Sequence, residues 1–271
     1  MNYNFRNVIL LTDFTETSRN AIKYSIKALG EQPQYLLLNT YLLKTTASTF
    51  RDLNELAEKE SIARLEEEMQ RIRDEFSQLD LKLNICSKFG ATEEVLRRYL
   101  KQGFTDLVVM GNNLEKEMIF SSSHVLAKVL SDVYVPTLVV PDCSDFRKLR
   151  RVHIGNDIKA ICKKTNLDVL KSLQQNFKCQ ITGLSVKPTG WKPDSHESNL
   201  CRYLESRDFI EEVKIIENEQ VGQSLTSICR DDASDMLILI SKNKGFFQRV
   251  FSRNLCHEVV SKACFPILAL P

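Results

Sequence analysis

Long apolar runs are missing from this chain. None approaches the roughly 20 residues that a bilayer-spanning helix needs, so no transmembrane helix is expected. Charge of one sign is also scarce. The formal net charge is +2, from 37 Lys and Arg against 35 Asp and Glu, and gives no reason to expect nucleic acid or acidic lipid as a partner. The 8 cysteines contain no C-x-x-C pair and no metal-like spacing. Cysteines scattered in this way predict reduced thiols, many of them in the core, and no disulfide framework. Among His124, His153, His196 and His257 no two are close enough to suggest a zinc-binding helix, so no metal is expected. G-x-S-x-G, G-x-G-x-x-G and G-x4-G-K-[S/T] are absent as well. With no activated nucleophile and no intact phosphate cradle, the chain is expected not to be an enzyme.

What is present is a globular composition, with 43% hydrophobic and 27% charged residues over 271 positions. That length suits two domains better than one core. The opening MNYNFRNVILLTDF runs almost directly into a strand pattern, which predicts no signal peptide and a cytoplasmic chain.

The chain is written twice. TDLVVMGNN followed by VPTLVVP matches SDMLILISKN followed by FPILALP, with Asp106 to Pro136 spanning 30 positions and Asp235 to Pro266 spanning 31. Upstream, NVILLTDF matches RVHIGNDI and aligns Asp13 with Asp157. The distance from Asp13 to Asp106 is 93 positions and that from Asp157 to Asp235 is 78, so one helix is trimmed in the second copy. The expected domains are 1–142 and 150–271, joined by a polar, basic linker at 143–149.

Each copy alternates strand and helix patterns. In the first, strands are expected at Val8–Thr12, Tyr35–Leu42, Leu81–Lys88, Asp106–Met110 and Thr137–Val140, several of them apolar enough to be buried on both faces. Glu16–Leu29 reads as a helix with Ile22, Ile26 and Leu29 inward, a cap at Thr15 or Thr17 and a stop at Gly30. Phe50–Phe76 reads as an amphipathic helix with Ile62, Leu65, Met69, Ile72 and Phe76 facing the core. The fold class that follows is α/β: two Rossmann-like domains, each a doubly wound, five-stranded, mainly parallel sheet flanked by helices. In such sheets a ligand crevice lies beyond the carboxyl ends of the strands where the strand order reverses, here after Thr12-Asp13 and Met110-Gly111.

These residues resemble the universal stress protein family in its tandem two-domain form. The first copy carries the likeness in VILLTDFTETSRNAIKYSIKAL, TDLVVMG and SSSHVLAKVLSDVYVPTLVVP; the second carries it in VHIGND, SDMLILISKN and HEVVSKACFPILALP. The resemblance implies a sheet of the adenine nucleotide alpha hydrolase type. It also implies last strands that associate, so that Thr137–Val140 and Ile267–Leu270 would pair as an intrachain pseudo-dimer. A homodimer and a protein partner are compatible with it; nucleic acid and membrane are not expected. One branch of the family binds ATP or related nucleotides such as AMP, through an Asp after the first strand and a Gly-x2-Gly-x9-Gly-[Ser/Thr] loop after the fourth.

Laid on this chain, the motif gives Thr12 and Asp13, then Met110 and Gly111. The second glycine position is Leu114, the third is Ser123, and the following Ser/Thr is His124. A loop that wraps phosphate needs positive-φ positions and bare backbone N–H groups, so losing two glycines of three works against it. Glu115 and Glu117 oppose a triphosphate as well. Ser121, Ser122 and Ser123 suit either a helix cap or one phosphate. In the second copy Asp157 persists, whereas the glycine-serine pair becomes Arg253-Asn254 in a basic loop that also holds Lys244. Asp13 and Asp157 fit a turn as well as a ligand contact. The loop KPTGWKPDSHES, with Trp191, reads as either a flap or an irregular connection. The expectation is a non-catalytic stress-response protein with degenerate nucleotide sites; the alternative is ATP or AMP binding in one crevice.

Overall fold

The structure is a computed structural model describing residues 5–42, 50–103, 105–112, 128–129, 135–155, 161–162, 164–192, 195–240, 259–260 and 262–270. These fall into two compact units, Phe5–Phe146 and the residues from Arg147 onward.

In the first unit the strands are β1 (Asn7–Leu11), β2 (Gln34–Tyr41), β3 (Lys82–Phe89), β4 (Leu107–Asn112) and β5 (Thr137–Pro141). Their order in the sheet is β3-β2-β1-β4-β5, and every neighbouring pair is parallel. The helices described over their length are α1 (Glu16–Leu29), α2 (Phe50–Glu75) and α3 (Thr92–Lys101). Val8, Leu10, Leu37, Val108 and Val139 are almost wholly buried, as strands covered on both faces require. Successive residues of β3 show that cover directly. The Ser87 hydroxyl donates to Ser61 of α2 at 2.7 Å, while Cys86 Sγ lies 2.9 Å from the Tyr99 hydroxyl of α3. Neighbouring strand residues point to opposite faces, so α2 and α3 lie on opposite sides of the sheet.

Helix α1 starts and stops as its sequence suggests. The Thr15 side chain accepts from the Ser18 N–H at 3.3 Å, and Gly30 at φ 69° lets the chain leave in a left-handed turn. Asn20 on its flank donates to the carbonyls of Pro141 (3.0 Å) and Ser144 (2.8 Å) and so holds the end of β5.

Helix α2 departs from the expected stripe. Leu65, Ile72 and Phe76 are buried, but Ile62 is 37% exposed and Ser61 and Glu68 take the inward positions. Ser61 is held inside by Asn39 and Ser87, and Glu68 receives the Arg19 guanidinium Nε at 3.1 and 2.9 Å. Buried polar groups survive where they are paired, and these pairings bring Ser61 and Glu68 inward beside Leu65 and Ile72.

The second unit repeats the plan with β6 (Arg151–Gly155), β7 (Gln180–Lys187), β8 (Glu212–Glu217), β9 (Met236–Ile240) and β10 (Ile267–Leu270). The order is β10-β9-β6-β7-β8, again parallel throughout. The helices described over their length are α4 (Lys164–Phe177), α5 (Ser195–Glu205) and α6 (Val221–Asp231).

One device occurs in both units. Asp106 Oδ2 accepts from the backbone N–H groups of Arg6 (3.0 Å) and Asn7 (2.9 Å), and Asp235 Oδ2 accepts from those of Arg150 (2.7 Å) and Arg151 (2.9 Å). Each carboxylate thus satisfies the N–H groups at the start of the central strand.

The described cysteines include Cys179 and Cys229, both buried as thiols. Burial pushes Cys179 up to about 11 and Cys229 up to about 12, far from reactive thiolates. No described helix is long and apolar enough to cross a membrane, and no described group of His, Cys, Asp and Glu has the makings of a metal site.

Candidate functional site

The strand order of the first unit reverses direction between β1 and β4, and the candidate crevice lies at their carboxyl ends. Four of the expected site residues are described there: Thr12, Asp13, Met110 and Gly111. Ser121, Ser122, Ser123 and His124 lie outside the described residues, as do Asp157, Lys244, Arg253 and Asn254.

Asp13 is exposed, and its Oδ1 accepts from the Thr15 N–H at 3.1 Å and the Thr15 hydroxyl at 2.6 Å. This is a turn closed by an aspartate on its own backbone two residues ahead. The turn carries Phe14 at φ 64°, a left-handed conformation uncommon for an aromatic residue. The Arg64 guanidinium of α2 lies 4.1 Å from the Phe14 ring centroid.

Thr12 is buried, and its hydroxyl accepts from the Phe14 N–H at 3.0 Å. Its carbonyl accepts from Asn39 Nδ2 at 2.7 Å, the Asn39 carbonyl oxygen accepts from Ser61 at 2.8 Å, and Ser61 accepts from Ser87. One buried polar chain therefore links β1, β2, α2 and β3 beneath the crevice floor.

Gly111 is explained by packing. A β-carbon built there would lie 2.6 Å from the Thr17 carbonyl oxygen and 2.8 Å from its carbon. These are backbone atoms of α1, so only glycine admits the helix this close. Met110 is 5% exposed, and its neighbours in the sheet place it in the core. None of the four forms a ready phosphate cradle by itself.

The KPTGWKPDSHES connection is tied down where it is described. Thr189 and Gly190 donate their N–H groups to Glu219 (3.2 Å) and Glu217 (3.1 Å), and Lys187 lies 4.7 Å from the Trp191 ring centroid.

The second unit holds a polar cluster that the sequence reading did not single out. An open cleft of about 200 Å3 is lined by residues from the amino ends of β6, β7 and β8 and by Asp232 after α6. His153 forms its floor and is 3% exposed. Its Nδ1 lies 2.9 Å from Ser234 Oγ and its Nε2 lies 3.1 Å from Asp232 Oδ2. Lys214 donates to that same Asp232 oxygen at 3.3 Å. Burial lowers the proton affinity of His153, and Asp232 only partly opposes this. Burial pushes the Asp232 carboxyl up, but Lys214 and His153 outweigh it and hold the group below the usual range. The serine and imidazole resemble a nucleophile and its base, yet Ser234 Oγ also lies 2.9 Å from the Met236 carbonyl oxygen, an acceptor that competes for its single proton. No sequence motif joins these residues; the signal is a histidine standing where the first copy has Ile9.

No protein-family model matches the sequence, and no curated protein matches it. Solved structures do. A universal stress protein from Archaeoglobus fulgidus DSM 4304 matches over 97% of this chain and 97% of its own, at 16% identity and a TM-score of 0.73. A protein of unknown function from Pseudomonas aeruginosa PAO1 matches over 99% of this chain and 93% of its own, at 10% identity and a TM-score of 0.60. The Archaeoglobus match runs through both copies, and with the strand order and the repeated strand-capping aspartate it settles the architecture: this chain has the universal stress protein fold, written twice.

Proposed function

We propose that this is a non-catalytic, cytoplasmic protein of the universal stress type, acting by binding a protein partner or small molecule, with degenerate nucleotide sites. The observation that carries this reading is the employment of Asp13 and Gly111. Both match the family's nucleotide motif, and both are occupied by the fold itself. Asp13 closes its own turn onto Thr15, and Gly111 makes room for Thr17. Their survival in the sequence therefore needs no ligand. The loop that follows Gly111 has Leu114 and Ser123 where the motif has glycine, and Glu115 and Glu117 add negative charge.

A second reading, ATP or AMP binding in the first crevice, has one observation in its favour. Asp13 is exposed, and among the described residues only its Oδ1 is engaged. Among the described residues nothing bonds its Oδ2, which suits it to accept from a ribose hydroxyl.

Thermal-shift titration of the full chain with ATP, ADP and AMP, with and without Mg2+, separates the two. A ligand confined to the folded state raises stability as RT ln(1 + [L]/Kd). The leading reading expects no saturable shift at millimolar nucleotide. A shift abolished by Asp13→Ala would establish the second reading instead. Association of the last strands within one chain belongs to the same proposal and expects a monomer mass by light scattering.

A further inference from the structure

We propose that His153, Ser234 and Asp232 form a two-state proton-responsive clamp, in which protonation of the imidazole hands the Ser234 hydroxyl proton from the ring to the Met236 carbonyl.

The hydrogen inventory leads to this. Ser234 Oγ has one proton and lies 2.9 Å from two acceptors, His153 Nδ1 and the Met236 carbonyl oxygen. His153 Nε2 faces a carboxylate oxygen at 3.1 Å, so a bare lone pair there is repelled and Nε2 carries a proton in both states. With the ring neutral, Nδ1 is an acceptor and Ser234 donates to it. With the ring charged, Nδ1 becomes a donor, Ser234 accepts from it, and the serine proton turns to Met236. Ser234 and the ring nitrogen each keep a hydrogen-bond partner in either state, which allows both to persist around an imidazole that is 3% exposed.

The surroundings set which state prevails. Lys214 of β8 shares the Asp232 oxygen and repels an imidazolium, and Glu212 of β8 favours one. Arg151, on the same strand as His153, donates to the Asp232 carbonyl at 2.9 Å, and Glu211 lines the cleft beside it. Asp235 is engaged with the N–H groups of Arg150 and Arg151, and Cys179 before β7 is a neutral thiol. Burial of the ring favours the neutral state at neutral pH. What switches is the turn after α6, held by Ala233 at φ 50°, through which the helix feeds strand β9 beside central strand β6.

The test is a long-range 1H–15N correlation spectrum of the imidazoles in the labelled full chain across pH 5–8, with His153 assigned by loss of its signal in His153→Ile. The expected neutral form carries its proton on Nε2 and titrates below pH 6.5. In Ser234→Ala both forms lose their Nδ1 partner, but the charged ring loses the stronger bond, and the titration moves about 0.5–1 pH unit lower; Ser234→Thr keeps the parent curve. A neutral form protonated on Nδ1, an imidazolium persisting above pH 6.5, or a Ser234→Ala curve superimposable on the parent overturns the clamp. Should Ser234→Ala fail to fold, the tautomer of the unaltered chain decides alone.

Discussion

The β-carbon that Gly111 lacks would fall 2.6 Å from the carbonyl oxygen of Thr17. Because the obstacle is helix backbone and not the end of a flexible side chain, relief requires α1 to shift against β4. Gly111→Ala is therefore expected to destabilise the first unit by about 1–3 kcal/mol, the usual range for overpacking. Urea denaturation followed by circular dichroism measures it. A loss under 0.5 kcal/mol would return Gly111 to the crevice as a residue kept for a ligand.

Asp13 and Thr15 act as one turn, since the carboxylate holds both the N–H and the hydroxyl of Thr15 while Thr15 caps Ser18. Asp13→Ala and Thr15→Ala are each expected to cost about 1 kcal/mol. The double variant is expected to fall short of their sum by about 0.5 kcal/mol or more. Strict additivity in the cycle would mean that the two do not cooperate.

The buried chain from Thr12 through Asn39 and Ser61 to Ser87 leaves no room for an apolar replacement at its centre. Asn39→Leu removes the donor to the Thr12 carbonyl and the acceptor for Ser61. An expected loss of about 2–4 kcal/mol follows from leaving one or two buried groups unpaired. Faster amide exchange at Phe14 and Thr15 would accompany it, because the same break loosens the turn after β1.

Acid should weaken the second unit before it weakens the first. His153 is held below 6.5 in the fold by burial, so the unfolded chain binds the proton more tightly. Stability is then complete above about pH 6.5 and is lost as pH falls through the folded value. Urea midpoints between pH 7.5 and 5 should decline, and His153→Ile, which installs the residue found at Ile9, should flatten the decline in that window. An unchanged slope in the variant would remove His153 from the pH dependence.

The strands were legible in the sequence; several other features were not. Strands β1, β2, β4 and β5 announce themselves because burial on both faces demands unbroken apolar runs, and the repeat fixes their pairing in each copy. The turn role of Asp13 was one of two open alternatives, and hydrogen bonds to Thr15 decide how it is used. By contrast, the inward face of α2 could not be read from hydrophobicity. Ser61 and Glu68 face in because partners on β2, β3 and α1 receive them, and those partners are 22 to 49 positions away in sequence. The His153 cluster draws on positions 153, 214, 232 and 234, which only the parallel sheet brings together. Gly111 looked like a remnant of a phosphate loop because its packing constraint comes from a helix nearly a hundred residues earlier.

The pairing of Asp106 with Asn7 spans 99 positions, and β1 itself lies between β2 and β4. A ribosome making about 5–20 residues per second needs on the order of 5–20 s to travel that distance. For that interval β1 has at most one sheet neighbour, and the N–H and C=O groups along its other edge stay open to whatever meets them in the cell.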